Sequence, residues 1–167
     1  MPLTPAQLTT LKADISANTA TVNGVQIKLI INNSDGNSDI AGWYNGLASP
    51  SHTVWKTNVA INDVGKKFNG SELAGMTTGN QTRLQTIALY LANGVNPSLA
   101  DNRVFFDDVF SGAGGTNTRA ALLILWKRLA NRVEKLLATG MGSDAVPATL
   151  GFEGSVSYQD VEQARNS

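Results

Sequence analysis

Residues 117–138, NTRAALLILWKRLANRVEKLLA, constrain the fold of this chain more than any other stretch. Leu122, Leu125, Trp126, Leu129, Val133, Leu136 and Leu137 recur at intervals of three and four, which predicts one long helix from about Asn117 to Ala138 with a sustained apolar face. Lys127, Arg128, Asn131, Arg132, Glu134 and Lys135 fall on its other side. Two readings of that side stay open. It is the solvated back of a core helix, whose basic last turns suit the negative end of the helix dipole. Or it is a basic stripe facing a partner or a polyanion. Within the stretch, Ala120 to Trp126 is apolar all round, which predicts burial on every side, in this chain or against a neighbouring subunit.

The segment leading into that helix, SGAGGTNT (residues 111–118), has the glycine content of a phosphate-binding loop. A P-loop requires lysine and a hydroxyl residue after its last glycine, because the lysine meets the phosphates and the hydroxyl meets magnesium. No lysine stands there. The dinucleotide fingerprint fails as well, since its third glycine would fall on Asn117. Both motifs follow a strand, whereas VFFDDVF before this loop reads as helix. Two glycines followed by Thr116, Asn117 and Thr118 fit a helix–helix turn with an N-cap. The residual functional reading is an anion held on the helix N-terminus.

Charge and composition narrow the classes. Thirteen basic residues balance thirteen acidic ones, and only 16% of the chain is charged. A neutral chain lacks the positive surface of a dedicated nucleic-acid binder, and offers little repulsion between copies. There is no cysteine, so disulfides, zinc ribbons and iron–sulfur clusters are excluded. The opening MPLTPAQL does not read as a secretory signal, and the longest apolar run is too short to span a bilayer, so a soluble chain is expected.

Thr4-Pro5-Ala6-Gln7 predicts the cap of a first helix, with Leu8, Leu11 and Ile15 as its apolar stripe and an end near Asn18-Thr19. Asn23-Gly24 is a hairpin signal, and Val25 to Ile31 reads as a strand. A short helix capped by Ser38 would bury Ile40, Trp43, Tyr44 and Leu47. Val54 and Trp55 begin extended and buried, a short helix follows near Asn62, and Ser71 caps another. Longer helices are predicted from Thr78 to Asn93 and from Ser98 to Phe110, the second with Asp101 in its first turn. Ala148 to Phe152 reads as a short strand, and Ser157 with Asp160 opens a terminal helix. The expected fold is mainly α: a single-domain helical bundle, residues 1–167, with a small β-hairpin or short strands.

Little in the chain reads as chemistry. His52 is the only histidine, and beside Pro50 and Ser51 it reads as a polar loop residue without a catalytic partner. Asp107 and Asp108 are adjacent, so on a helix they point about 100° apart. Convergence of Asp101, Asp108 and Glu72 in three dimensions stays open. NNSDGNSD would place Ile31 and Gly42 at the first and last positions of a calcium loop, where neither can coordinate through a side chain, so turn chemistry is expected there. No catalytic residue, cofactor or metal is expected.

The segments ASPSHTVWKTNV (48–59), TRAALLILWKRLANRVEKLLATG (118–140) and ATLGFEGSVSYQDVEQA (148–164) resemble a family of small proteins encoded in tailed-phage and prophage genomes. LTPAQLTTLKADI and NNSDGNSDIAGWYN match the same pattern, and VNGVQIKLI looks like an addition to it. The resemblance covers nearly the whole chain and carries no catalytic motif. It implies a virion structural protein assembled in the bacterial cytoplasm, and within that class a head–tail connector or neck component. Such a protein would form a homo-oligomeric ring with the portal, neck or tail proteins of the same phage, touching packaged DNA non-specifically and no membrane. Lys127, Arg128, Arg132 and Lys135 are then the candidate DNA-facing or subunit-facing residues. The competing expectation is a phage-encoded binding module that targets a host protein.

Overall fold

The computed structural model describes residues 2–167, and among these it is mainly α, with nine helices and two small two-stranded sheets. The described chain packs as two compact units. One runs up to Val54 and resumes over Leu129–Ser167; the other is Trp55–Arg128.

In the first unit, α1 (Pro5–Ala17) opens on a complete capping box: the Thr4 hydroxyl accepts from the Gln7 N–H, and the Gln7 side chain accepts from the Thr4 N–H. Leu8, Leu11 and Ile15 are buried, and Asn18 ends the helix, as the sequence predicts. β1 (Thr21–Val22) and β2 (Val25–Gln26) form an antiparallel hairpin across Asn23-Gly24, both at positive φ (51° and 81°), the geometry of a type I′ turn. The strand predicted over Val25 to Ile31 stops at Gln26. Because α1 runs to Ala17, its partner strand has only two residues, and Ile27–Leu29 winds into a 3-10 turn that buries Ile27.

Helix α2 (Ser34–Asn45) starts earlier than predicted, because the Asn33 carboxamide, not Ser38, accepts the Gly36 N–H at 2.8 Å. NNSDGNSD is therefore a helix start. Of the apolar residues expected there, Ile40 and Tyr44 are buried, whereas Leu47 lies past the helix end and is exposed. The terminal helix α9 (Tyr158–Asn166) carries the predicted Ser157–Asp160 capping box. Its Arg165 donates to the Ile30 carbonyl at 2.6 Å and to the Asn37 side chain at 3.0 Å, tying it to the segment before α2 and to α2 itself. Ala148 to Phe152 forms no strand, only the single pairings Val54↔Ala148 and Thr139↔Thr149.

The long helix predicted over Asn117–Ala138 does not exist as one element. The chain forms α7 (Thr116–Leu125), strand β4 (Lys127–Leu129) and α8 (Arg132–Leu137). β4 pairs with β3 (Thr53–Trp55), and the flanking Ala130 N–H donates to the His52 carbonyl at 2.8 Å. Asn131 then restarts the helix: its side chain accepts the Glu134 N–H at 2.8 Å, while Glu134 accepts the Asn131 N–H at 3.1 Å. Helices α1, α2, α8 and α9 enclose a core that includes Leu11, Ile40, Tyr44, Val133, Phe152 and Val161.

The Trp55–Arg128 unit adds α3 (Ile61–Gly65), α4 (Gly70–Ala74), α5 (Thr78–Tyr90) and α6 (Ala100–Val109). Asn69 caps α4 in place of Ser71, α5 ends before the predicted Asn93, and α6 is shorter than Ser98–Phe110 by its end residues. With α7, these elements close over Val64, Phe106, Val109, Phe110, Leu122 and Trp126. α7 is not buried on every side within the chain. Leu122 and Trp126 are covered, whereas Leu123 is 47% and Ile124 74% exposed.

Candidate functional site

The glycine loop is built by close packing. A Cβ at Gly115 would lie 2.0 Å from the Phe110 carbonyl oxygen, so only glycine lets the loop pass the end of α6. Gly112 sits at φ 74°, and the Arg119 guanidinium donates to the Phe110 carbonyl and, at 3.0 Å, to the Gly112 carbonyl. Residues Ala113–Gly115 form a 3-10 turn that leads directly into α7. No side chain of Thr116, Asn117 or Thr118 caps α7.

An anion does sit on the α7 N-terminus, and the protein supplies it. The Glu72 carboxylate accepts the N–H groups of Asn117 and Thr118 at 2.8 Å each. The Thr118 hydroxyl in turn accepts the Asn69 N–H at 3.0 Å. These bonds hold the Glu72 carboxyl below the usual carboxylate range, the hydrogen bond with Thr118 contributing most. Glu72 thus serves α7, and Asp108 stands 3.9 Å from Arg83. Among the described residues, no group of three or more His, Asp or Glu could hold a metal ion.

The loop also lines a concavity of this unit of about 640 Å³. Its apolar walls are Trp55, Trp126, Ala120 and Leu123, and its polar groups are Arg103, Arg119, Asp107, Ser111 and Thr116. The Arg103 guanidinium lies 4.1 Å from the centroid of the Trp55 ring and donates to the Pro97 carbonyl. Burial pulls its pKa down, and Asp107 opposes that shift.

The four basic residues singled out in the sequence do not share a helix face. Lys127 and Arg128 are half-buried on β4, and Arg132 and Lys135 lie on α8. Arg132 stacks 4.6 Å from the Trp43 ring centroid and donates to the Trp43 carbonyl at 2.7 Å. Lys135 donates to the Pro50 carbonyl at 3.1 Å. Both line a small hollow of about 180 Å³ with Asp14, Asn18, Tyr44 and Ser49. There the Tyr44 hydroxyl donates to Asp14, and burial followed by that bond pushes the phenol pKa up, which keeps it protonated.

His52 lies in the loop before β3, as expected, but is buried there, and its Nε2 has no hydrogen-bond partner. Its ring lies over Gly142, where a Cβ would stand 1.9 Å from Cε1. Burial first, and Lys135 second, hold its pKa below the usual value. Neither hollow includes it. Periodicity and motifs do not single out Arg103, and they give no reason to place Trp55 beside it or Glu72 on the N-terminus of α7. Their partners lie tens of residues away in the chain, so no local pattern announces them.

Compared with known proteins, the chain matches no family model, no curated protein and no solved structure.

Proposed function

We propose that this chain is a non-enzymatic structural protein of a tailed-phage particle, a head–tail connector or neck component that assembles as a ring with portal or tail proteins. The resemblance of its segments to phage and prophage proteins supplies the class. The observation that supports an assembly role is the outward side of α7, where Leu123 and Ile124 are exposed beside the buried Leu122. An aliphatic side chain gains about 1.5–3 kcal/mol on full burial, so a second surface that covers this ridge is favoured. Zero formal charge leaves little repulsion to oppose contact between copies. A ring needs heterologous contacts that close, each copy offering two different surfaces.

Lys127 with Arg128, and Arg132 with Lys135, remain the candidates for contact with a neighbour or with DNA, as two separate pairs. Among the described residues no helix is long and apolar enough to cross a membrane.

Mass spectrometry of purified particles, together with light scattering of the purified chain alone and with its neighbouring head and tail proteins, tests this reading. The expected result is the chain in the particle and a closed oligomer, alone or on its partner. Particles without the chain, combined with stoichiometric capture of one host protein, would replace it with the host-binding module.

A further inference from the structure

The concavity of the Trp55–Arg128 unit is built differently from an ordinary surface hollow. Its volume of about 640 Å³ lies in the range of small-ligand pockets. Two guanidiniums border it, and both are fixed by carbonyl oxygens rather than by acids: Arg103 by Pro97, and Arg119 by Phe110 and Gly112. The ion pairs Lys66–Asp63 and Arg83–Asp108 include neither Arg103 nor Arg119. A guanidinium has five N–H donors, so both retain donors beyond the carbonyls they hold. Trp55 carries the stacked Arg103, and Trp126 and Leu123 supply the apolar wall.

We propose that this cavity is a binding site for a carboxylate joined to an apolar, preferably aromatic, body. The carboxylate meets Arg103 and Arg119, and the body lies along Trp126 and Leu123. A planar fork fixed on an aromatic face is pre-organised for bidentate contact with a carboxylate, and little side-chain freedom is lost on binding. Asp107 also lines the cavity. It leaves the site with a net charge of about +1, so it weakens anion binding without reversing it. Two sources carry this chemistry: a free aromatic acid, and an acidic residue beside an apolar one in a peptide.

The test uses the intact chain and its tryptophan fluorescence, with NMR amide shifts as a second readout. The probes are indole-3-acetate, its neutral amide, and a short peptide ending in Trp-Glu. Saturable binding of indole-3-acetate or of the peptide, with the amide weaker by roughly tenfold or more, is expected for a charge-assisted contact. Saturation by the free acid identifies a small-molecule site, and saturation by the peptide alone identifies a peptide site; either supports the proposal. Arg103→Gln is expected to remove the preference for acid over amide, and Asp107→Asn to tighten acid binding severalfold. If Arg103→Gln does not fold, Asp107→Asn decides. Equal binding of acid and amide, no saturation of either probe at about 10 mM, or an Asp107→Asn variant with unchanged affinity would overturn the proposal.

Discussion

The Glu72 carboxylate and the Thr118 backbone N–H meet at 2.8 Å, and the same carboxylate takes the Asn117 N–H at the same distance. A residue from α4 therefore caps α7 from 45 positions away in the chain. The first N–H groups of a helix need acceptors, and an acid there also meets the positive end of the dipole. This explains why the glycine loop looks like an anion site without the lysine of one: the anion is internal.

Glu72→Gln is expected to lower stability at neutral pH, because the amide accepts more weakly and carries no charge. The pH dependence follows from the depressed carboxyl pKa. The stabilisation is complete above the ordinary value of 4.5 and is lost as pH falls through the lower folded-state value. Thermal unfolding of both proteins at about pH 7 and about pH 3 checks it. The gap in melting temperature between them should be wide at the higher pH and narrow at the lower.

The two middle glycines of the same loop should respond in opposite ways. A Cβ at Gly115 meets backbone atoms of Phe110 at 2.0–2.8 Å, which cannot move aside as a side chain can. Gly114 has nothing within 4 Å and no positive φ. Gly115→Ala is expected to cost about 1–3 kcal/mol, the usual range for overpacking. Gly114→Ala should stay within about 0.5 kcal/mol of the parent. Chemical denaturation of the two variants measures both, and a phosphate-cradling loop would have no reason to separate them.

Asn131→Ala is expected to destabilise by about 1 kcal/mol, as for other N-cap losses. Glu134→Ala should cost more, because the buried Glu134 carboxylate accepts the Gly154 N–H at 3.0 Å as well as the Asn131 N–H. Denaturant midpoints of the two variants rank them.

That capping box also marks the limit of what the sequence shows. Asn131-x-x-Glu134 is a helix-start signature, and it stands in the middle of the stretch that periodicity assigns to one helix. The three-and-four spacing of leucines persists across the break because α7 and α8 each bury one side, and spacing alone does not register the strand between them. Thr4 with Gln7, Ser157 with Asp160, and Asn23-Gly24 were legible because both partners lie within one turn of chain. The Glu72 cap and the stacking of Arg103 on Trp55 join residues more than 40 positions apart, so the larger cavity was invisible before folding. The reading of Lys127, Arg128, Arg132 and Lys135 as one stripe rested on that single helix, and the break places them on β4 and α8 instead.

His52 supplies a second pH signature of opposite chemistry and the same sign. Its folded pKa lies below the ordinary 6.5, so between the two values the unfolded chain binds the extra proton. Its contribution is therefore complete above about pH 6.5 and is lost as pH falls through the lower folded value. His52→Gln should flatten the rise of melting temperature between about pH 5 and 7. A slope unchanged by the substitution would show that other groups set it.

The exposed ridge of α7 separates stability from assembly. Ile124 is 74% exposed, so Ile124→Glu should change the stability of the isolated chain by no more than about 0.5 kcal/mol. If copies or partners cover that ridge, a charge placed there must be desolvated, which costs far more than the isoleucine loses in water. The expected outcome is a variant with the parent's melting temperature that no longer enters the oligomer or the particle. Light scattering and particle mass spectrometry of the parent and the variant, run beside a Gly114→Ala control, measure it. Normal assembly of Ile124→Glu would move the contact away from α7 and leave the phage-particle reading to be carried by another surface.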